Sequence, residues 1–127
     1  MKANKPKVLF IEDDTDQTAI YKTKFELEGF ECFCAGNGTD GIAAVKENRP
    51  GLVFLDMVMP GENGLDILKK LKQDETTKAI PVVLFTNLST KTSREEGKQL
   101  GAVAYFVKTD ISLKELVDWA RKNVLMI

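Results

Sequence analysis

Four short apolar runs punctuate the chain, and each ends on polar side chains. Val8-Leu9-Phe10-Ile11 is followed by Glu12, Asp13 and Asp14, Leu52-Val53-Phe54-Leu55 by Asp56, Val82-Val83-Leu84-Phe85 by Thr86, and Ala104-Tyr105-Phe106-Val107 by Lys108. Unbroken apolar runs of this length predict strands buried on both faces, as in a parallel sheet covered by helices. A further strand is predicted from Phe30 to Ala35, where Phe30, Cys32 and Cys34 alternate with Glu31, Phe33 and Ala35.

Between these runs the spacing changes to that of helices. Asp14 to Glu28 opens on acids, carries Ile20, Tyr21 and Phe25 as its apolar positions and stops at Gly29. Gly38 to Glu47, with Ile42 and Val45, predicts a short helix ended by Asn48-Arg49-Pro50. Met59 to Gly64 reads as a loop, with Asn63 capping a helix that carries Leu65, Leu68 and Leu71. Ser89 to Leu100 has almost nothing apolar and holds Gly97 in its interior, which predicts a weakly anchored fourth helix. The last helix places Leu113, Leu116, Val117, Ala120 and Val124 in one stripe, with Trp119 beside it.

Strands alternating with helices through right-handed crossovers make an α/β doubly wound open sheet, for which the favoured strand order is 2-1-3-4-5. Ligands of such sheets bind beyond the carboxyl ends of the strands, at the switch point between strands one and three. The polar residues that end the apolar runs therefore converge on one edge.

The 127 residues suffice for one domain with a full core. A net charge of -1 offers no general attraction to nucleic acid or to an anionic membrane. Met1 to Lys7 is basic, but the apolar run after it is too short for a signal peptide or a membrane span, so a cytosolic protein is expected. Cys32 and Cys34 point the same way on one strand; a bridge between them would be strained, and two buried free thiols are expected. The absence of histidine excludes His-ligated zinc, Ser-His catalysis and phosphohistidine chemistry on this chain.

Asp13 and Asp56 are expected on neighbouring strands about 4.8 Å apart. Carboxylates at roughly 5 Å repel by about 3 kcal/mol per pair at an effective dielectric of about 20, so a cation must balance them. An all-oxygen donor set suits Mg²⁺ or Mn²⁺. Lys108, two strands beyond Asp56, starts roughly 10 Å away and has the stem to reach the same pocket. An aspartate beside a divalent cation, a lysine and a hydroxyl can attack phosphorus without a general base. The cation, Lys108 and Thr86 would then hold the equatorial oxygens of a transferring phosphoryl group. Each residue also has an ordinary role: Asp13 or Asp14 as a helix cap, Asp56 in a turn, Thr86 as a strand former, Lys108 as a solvated lysine. Their joint occurrence at strand ends favours one site.

The motifs Phe10-Ile11-Glu12-Asp13-Asp14, Leu55-Asp56-Met57-Val58-Met59-Pro60-Gly61, Leu84-Phe85-Thr86-Asn87 and Tyr105-Phe106-Val107-Lys108 resemble those of the receiver domain of two-component response regulators. The likeness covers essentially the whole chain and implies a flavodoxin-like, three-layer (βα)5 sandwich forming one receiver domain over residues 1–127. It implies a cytoplasmic, phosphorylation-controlled signalling module with Asp56 as phosphoacceptor. Glu12 and Asp13 would be the acidic pair, Asp13 the more direct metal ligand, and Asp56 and the Val58 backbone carbonyl further ligands of Mg²⁺. Thr86, Asn87, Met57 and Lys108 would contact the phosphoryl group, and Thr86 and Tyr105 would form the switch pair. A histidine kinase or phosphotransfer protein would supply the phosphoryl group. Output would pass to a partner protein or a second copy through the fourth helix, fifth strand and fifth helix, without an appended output domain or direct contact with nucleic acid or membrane. Residues flanking the path of the attacking water are here Val58 and Leu88, both apolar, which implies slow self-dephosphorylation in a protein that is not otherwise an enzyme.

Two positions depart from the family pattern. Thr109 stands where proline is common, often after a cis bond; cis before a non-proline residue costs about 3 kcal/mol, so trans is expected. Asn87 replaces a very small residue, and either narrows the entrance for a phosphodonor or adds an amide hydrogen bond to the phosphoryl group. Three rival readings remain at this point. A degenerate receiver would bind partners without phosphorylation. A small phosphatase with an aspartyl nucleophile expects a second aspartate where Val58 stands, and a flavin domain would need its phosphate beside Glu12, Asp13 and Asp14, which repel it.

Overall fold

The computed structural model describes residues 4–126, so Met1 to Ala3 of the basic start, and Ile127, lie outside the described residues. The strands are β1 Lys7–Ile11, β2 Glu31–Ala35, β3 Leu52–Leu55, β4 Val82–Thr86 and β5 Ala104–Val107. The helices are α1 Thr15–Leu27, α2 Gly38–Asn48, α3 Gly64–Gln73, α4 Lys91–Gln99 and α5 Leu113–Asn123. All pairings of the main sheet are parallel and the order is β2-β1-β3-β4-β5, the doubly wound arrangement expected.

Successive strand residues face opposite ways, so the central strands feed two cores. Leu9, Ile11, Val53, Leu55, Val82 and Leu84 meet Val45 of α2 and Ile67, Leu68 and Leu71 of α3. On the other face Phe10, Phe54, Val83 and Phe85 meet Tyr21 and Phe25 of α1 and Leu116, Val117 and Ala120 of α5. This second core is aromatic: Phe10 stacks on Phe54 at 4.6 Å and on Tyr21 at 4.9 Å between ring centroids. Such pairs contribute roughly 0.5–1.5 kcal/mol each beyond the area they bury, which gives the strand ends a firm base.

Capping residues set the helix limits. Asp14 accepts from the amides of Asp16 and Gln17 and starts α1. Asn63 accepts from the Leu65 amide at 2.9 Å and starts α3, while Ser112 and Glu115 form a reciprocal capping box on α5. The loop expected from Met59 to Gly64 contains a two-residue antiparallel ladder, Val58–Met59 against Glu62–Asn63, which turns at Gly61 with φ 70°. Glu62 ties this hairpin to the start of α2 by accepting from the Gly38 amide at 2.9 and 3.1 Å.

Three expectations are corrected. Ile20 is 56% exposed, because the buried face of α1 runs through Thr18, Tyr21 and Phe25 and Ile20 lies off it. Of the two thiols expected to be buried, Cys32 is, and Cys34, two residues on along the same face of the edge strand β2, is exposed. The fourth helix is shorter than Ser89 to Leu100, because Thr90 accepts from the Ser93 amide at 3.0 Å and caps it there. Its Gly97 is buried against β4, where an added β-carbon would lie 2.4 Å from Leu84 Cδ1. The glycine thus permits close packing as well as weakening the helix. Trp119 packs edge-on to Phe106 at 5.2 Å. Among the described residues no peptide bond is cis, and Lys108–Asp110 forms a short 3-10 turn. No described helix is long and apolar enough to cross a membrane.

Candidate functional site

The carboxyl ends of β1, β3, β4 and β5 open on one cleft of about 480 Å³, where Glu12, Asp13, Asp56, Thr86, Asn87 and Lys108 meet. Backbone bonds fix the acids just past their strands: the Asp56 amide donates to Ile11 at 3.0 Å and the Glu12 amide to Ala35 at 2.9 Å. Lys108 follows β5 directly and extends across the sheet edge. Its ammonium donates to Glu12 Oε1 at 3.0 Å, to Asp56 Oδ2 at 3.1 Å and to Gln17 Oε1 at 2.9 Å. Asp56 Oδ1 accepts from the Val58 amide at 3.1 Å.

Charge in the cleft is unbalanced. Glu12, Asp13 and Asp56 place one carboxylate oxygen each within 4.8 Å of one another. Glu12 and Asp56 are buried, Asp13 is exposed, and Lys108 is the cation paired with the buried two. Burial and the neighbouring Asp56 carboxyl push Glu12 up to about 8, against the opposing pull of Lys108. Burial also acts to raise Asp56, but the neighbouring Glu12 carboxyl, the Val58 amide, the nearby Thr86 hydroxyl and Lys108 hold it below the usual carboxylate range. Burial draws Lys108 down, and the two carboxylates outweigh this and raise it. Glu12 Oε2 is buried without a partner. A buried acceptor left open beside two further carboxylates fits a hard divalent cation, which oxygen ligands suit.

The remaining expected positions surround this cluster. Thr86 is buried, and its hydroxyl accepts from the Leu88 amide at 3.3 Å. Met57 is buried and its carbonyl accepts from the Gly64 amide, whereas Val58 is 60% exposed on the rim. Asn87 is exposed at the mouth. Tyr105 is half-buried and points away from the acids. Its hydroxyl donates to the Leu88 carbonyl and lies 3.2 Å from Ser93 Oγ, with the Arg94 guanidinium 5.0 Å from its ring centroid. Thr109 lies in the 3-10 turn and is exposed. Gln17 is a site residue that the sequence reading missed; its one signal is a spacing of four from both Asp13 and Tyr21, which puts it on the cleft side of α1.

Residues 8–121 match the family described as the response regulator receiver domain. The chain belongs to that family. Among curated receiver relatives, Protein PilH of Pseudomonas aeruginosa is 33% identical over 102 residues, which are 80% of this chain and 84% of PilH. Sporulation initiation phosphotransferase F of Bacillus subtilis is 33% identical over 116 residues, 91% of each chain. The solved structure of the Vibrio cholerae chemotaxis protein CheY4 superposes with a TM-score of 0.87 over 95% of this chain and all of its own, at 21% identity, a likeness of fold. Receiver domains are phosphoacceptor signalling modules rather than classical enzymes, and as a family they bind Mg²⁺ at an acidic pocket. In this receiver Glu12, Asp13 and Asp56 form a cluster of acidic residues.

Proposed function

We propose that this receiver takes a phosphoryl group onto Asp56 from the phosphohistidine of a histidine kinase or phosphotransfer protein and signals by altered protein binding. The observation that carries this reading is the Asp56 carboxylate itself, held at a strand end between Lys108 and the Val58 amide with two acids alongside. An Asp56 oxygen attacks phosphorus, the bond from phosphorus to the donor's imidazole nitrogen breaks, and that nitrogen keeps the electron pair. Glu12, Asp13, Asp56 and the Val58 carbonyl would hold Mg²⁺, which when bound neutralises charge on the phosphoryl oxygens. Lys108, Thr86 and groups of Met57 and Asn87 hold the same oxygens.

In this reading residues 1–127 act as one cytoplasmic receiver domain. Output runs through α4, β5 and α5, to a partner protein or a second copy, with Thr86 and Tyr105 as the switch pair. Self-dephosphorylation is slow. Intact mass after incubation with acetyl phosphate and Mg²⁺ tests the proposal: one phosphoryl group should appear, and be lost with EDTA or in Asp56→Asn. Equal labelling of the Asn variant would remove Asp56 from the role.

A further inference from the structure

Lys108 has three N–H donors, and each finds one acceptor: Glu12, Asp56 and Gln17. The first two are carboxylates of the acidic cluster. Phosphorylation turns the Asp56 carboxylate into an acyl phosphate, a mixed anhydride, and weakens it as an acceptor, while Glu12 keeps a second oxygen open beside the same cluster. Gln17 is the one acceptor of the three that does not titrate, and its bond to Lys108 does not depend on the changing charge of the cluster.

The Gln17 carbonyl is in turn held from below. Tyr21, four residues on along α1, donates its hydroxyl to the same oxygen at 3.0 Å. The Tyr21 ring is buried, stacked on Phe10 and edge-on to Phe85 at 5.4 Å, so it is a rigid support. Two donors converging on Oε1 also settle which way the amide faces. Burial pushes the Tyr21 hydroxyl above its ordinary pKa, so it remains a donor throughout the neutral range.

We propose that Gln17, oriented by Tyr21, is a positioning residue that keeps Lys108 aimed at the phosphoryl group while the carboxylates around it change charge. This rests on the reading of Asp56 as phosphoacceptor. Without Gln17, the hydrogen bonds that hold the Lys108 ammonium all go to carboxyl groups of the cluster, and the Phe85 ring, 5.7 Å from it at the centroid, fixes no hydrogen-bond direction.

Two conservative variants test it. Tyr21→Phe keeps the stacked ring and removes the hydroxyl; Gln17→Met keeps the length and removes the carbonyl. Each should slow acetyl phosphate labelling of Asp56 and weaken beryllofluoride binding by about threefold to tenfold, with the urea midpoint of Gln17→Met near wild type. The double variant should be no worse than Gln17→Met alone, because the Tyr21 hydroxyl acts through Gln17. Wild-type labelling and beryllofluoride affinity in either single variant, or losses that multiply in the double, would overturn the proposal. Wild-type protein that takes no label on Asp56 would instead overturn the reading beneath it.

Discussion

Gly64 lies directly on the backbone of Asp56: a β-carbon at Gly64 would stand 2.5 Å from the Asp56 carbonyl oxygen and 2.5 Å from Met57 Cα. Both atoms are backbone and cannot swing aside, so α3 can begin this close to the acid only with glycine. Gly64→Ala should destabilise the fold by about 1–3 kcal/mol through overpacking, outweighing the gain in helix propensity of at most about 1 kcal/mol. It should also slow phosphorylation by displacing Asp56. Urea unfolding and acetyl phosphate labelling check the two effects, and wild-type values in both would show that the hairpin yields without moving the acid.

Glu12 makes the metal-free protein sensitive to alkaline pH. Its folded pKa of about 8 lies above the unfolded value of 4.5, so between these the folded state holds a proton that the unfolded state has lost. The stabilisation is complete below the unfolded pKa and is lost as pH rises through the folded one. Asp56 acts in the opposite sense, but in the acid range below its ordinary pKa. Urea stability in EDTA should therefore fall as pH is raised from about 5 to 9, and Glu12→Gln should flatten that slope. An unchanged slope in the variant would assign the titration to another group.

Asp13 is the exposed member of the acid cluster. Asp13→Asn removes a charge that favours a divalent cation and also relieves repulsion within the cluster. Mg²⁺ affinity should fall by about tenfold, while the metal-free protein is as stable as wild type or more so by up to about 1 kcal/mol. A Mg²⁺ titration that superposes on wild type would take Asp13 out of the site.

Val58 and Leu88 stand at the rim of the cleft, 60% and 36% exposed, and neither can orient a water by hydrogen bonding. The phosphorylated protein should decay slowly. Polar replacements at both positions, such as Val58→Asn with Leu88→Gln, should quicken the decay by about tenfold or more if each supplies one directed hydrogen bond. Measured by loss of label after the donor is removed, an unchanged lifetime would show that these side chains do not control the water.

The main strands and the acids at their ends were legible because burial on both faces leaves unbroken apolar runs, and the first polar residue after each run marks the sheet edge. Gln17 was not, since a spacing of four from Asp13 and Tyr21 does not by itself mark a site; its role depends on the reach of Lys108 from the end of β5 across the sheet edge. Cys34 is exposed although Cys32, two residues away on the same face of β2, is buried, and a pattern of alternation within a strand does not reveal which of its positions are covered. The sequence showed Gly97 as a weak point in α4, but only the distance to Leu84 shows that the same glycine brings α4 close onto β4.

Leu88 connects the buried hydroxyl to the outer face. Its amide donates to Thr86 Oγ1 and its carbonyl accepts from the Tyr105 hydroxyl, so one residue of the β4–α4 loop holds both members of the proposed switch pair. A phosphoryl group on Asp56 adds strong acceptors beside Thr86. A swing of the whole Thr86 side chain toward them would lengthen its bond with the Leu88 amide and loosen the hold on Tyr105. The helix beyond is fastened lightly, since among its residues Ser93 and Gly97 are the buried ones. A few kcal/mol is then enough to shift its population. Hydrogen exchange with and without beryllofluoride, a mimic of the bound phosphoryl group, should change most across residues 89–100 and around Tyr105. Tyr105→Phe, which cuts the link to Leu88, should shrink the change in β5 while leaving labelling of Asp56 intact. Changes confined to α1 and α2 would refute this route and place the output surface elsewhere on the domain.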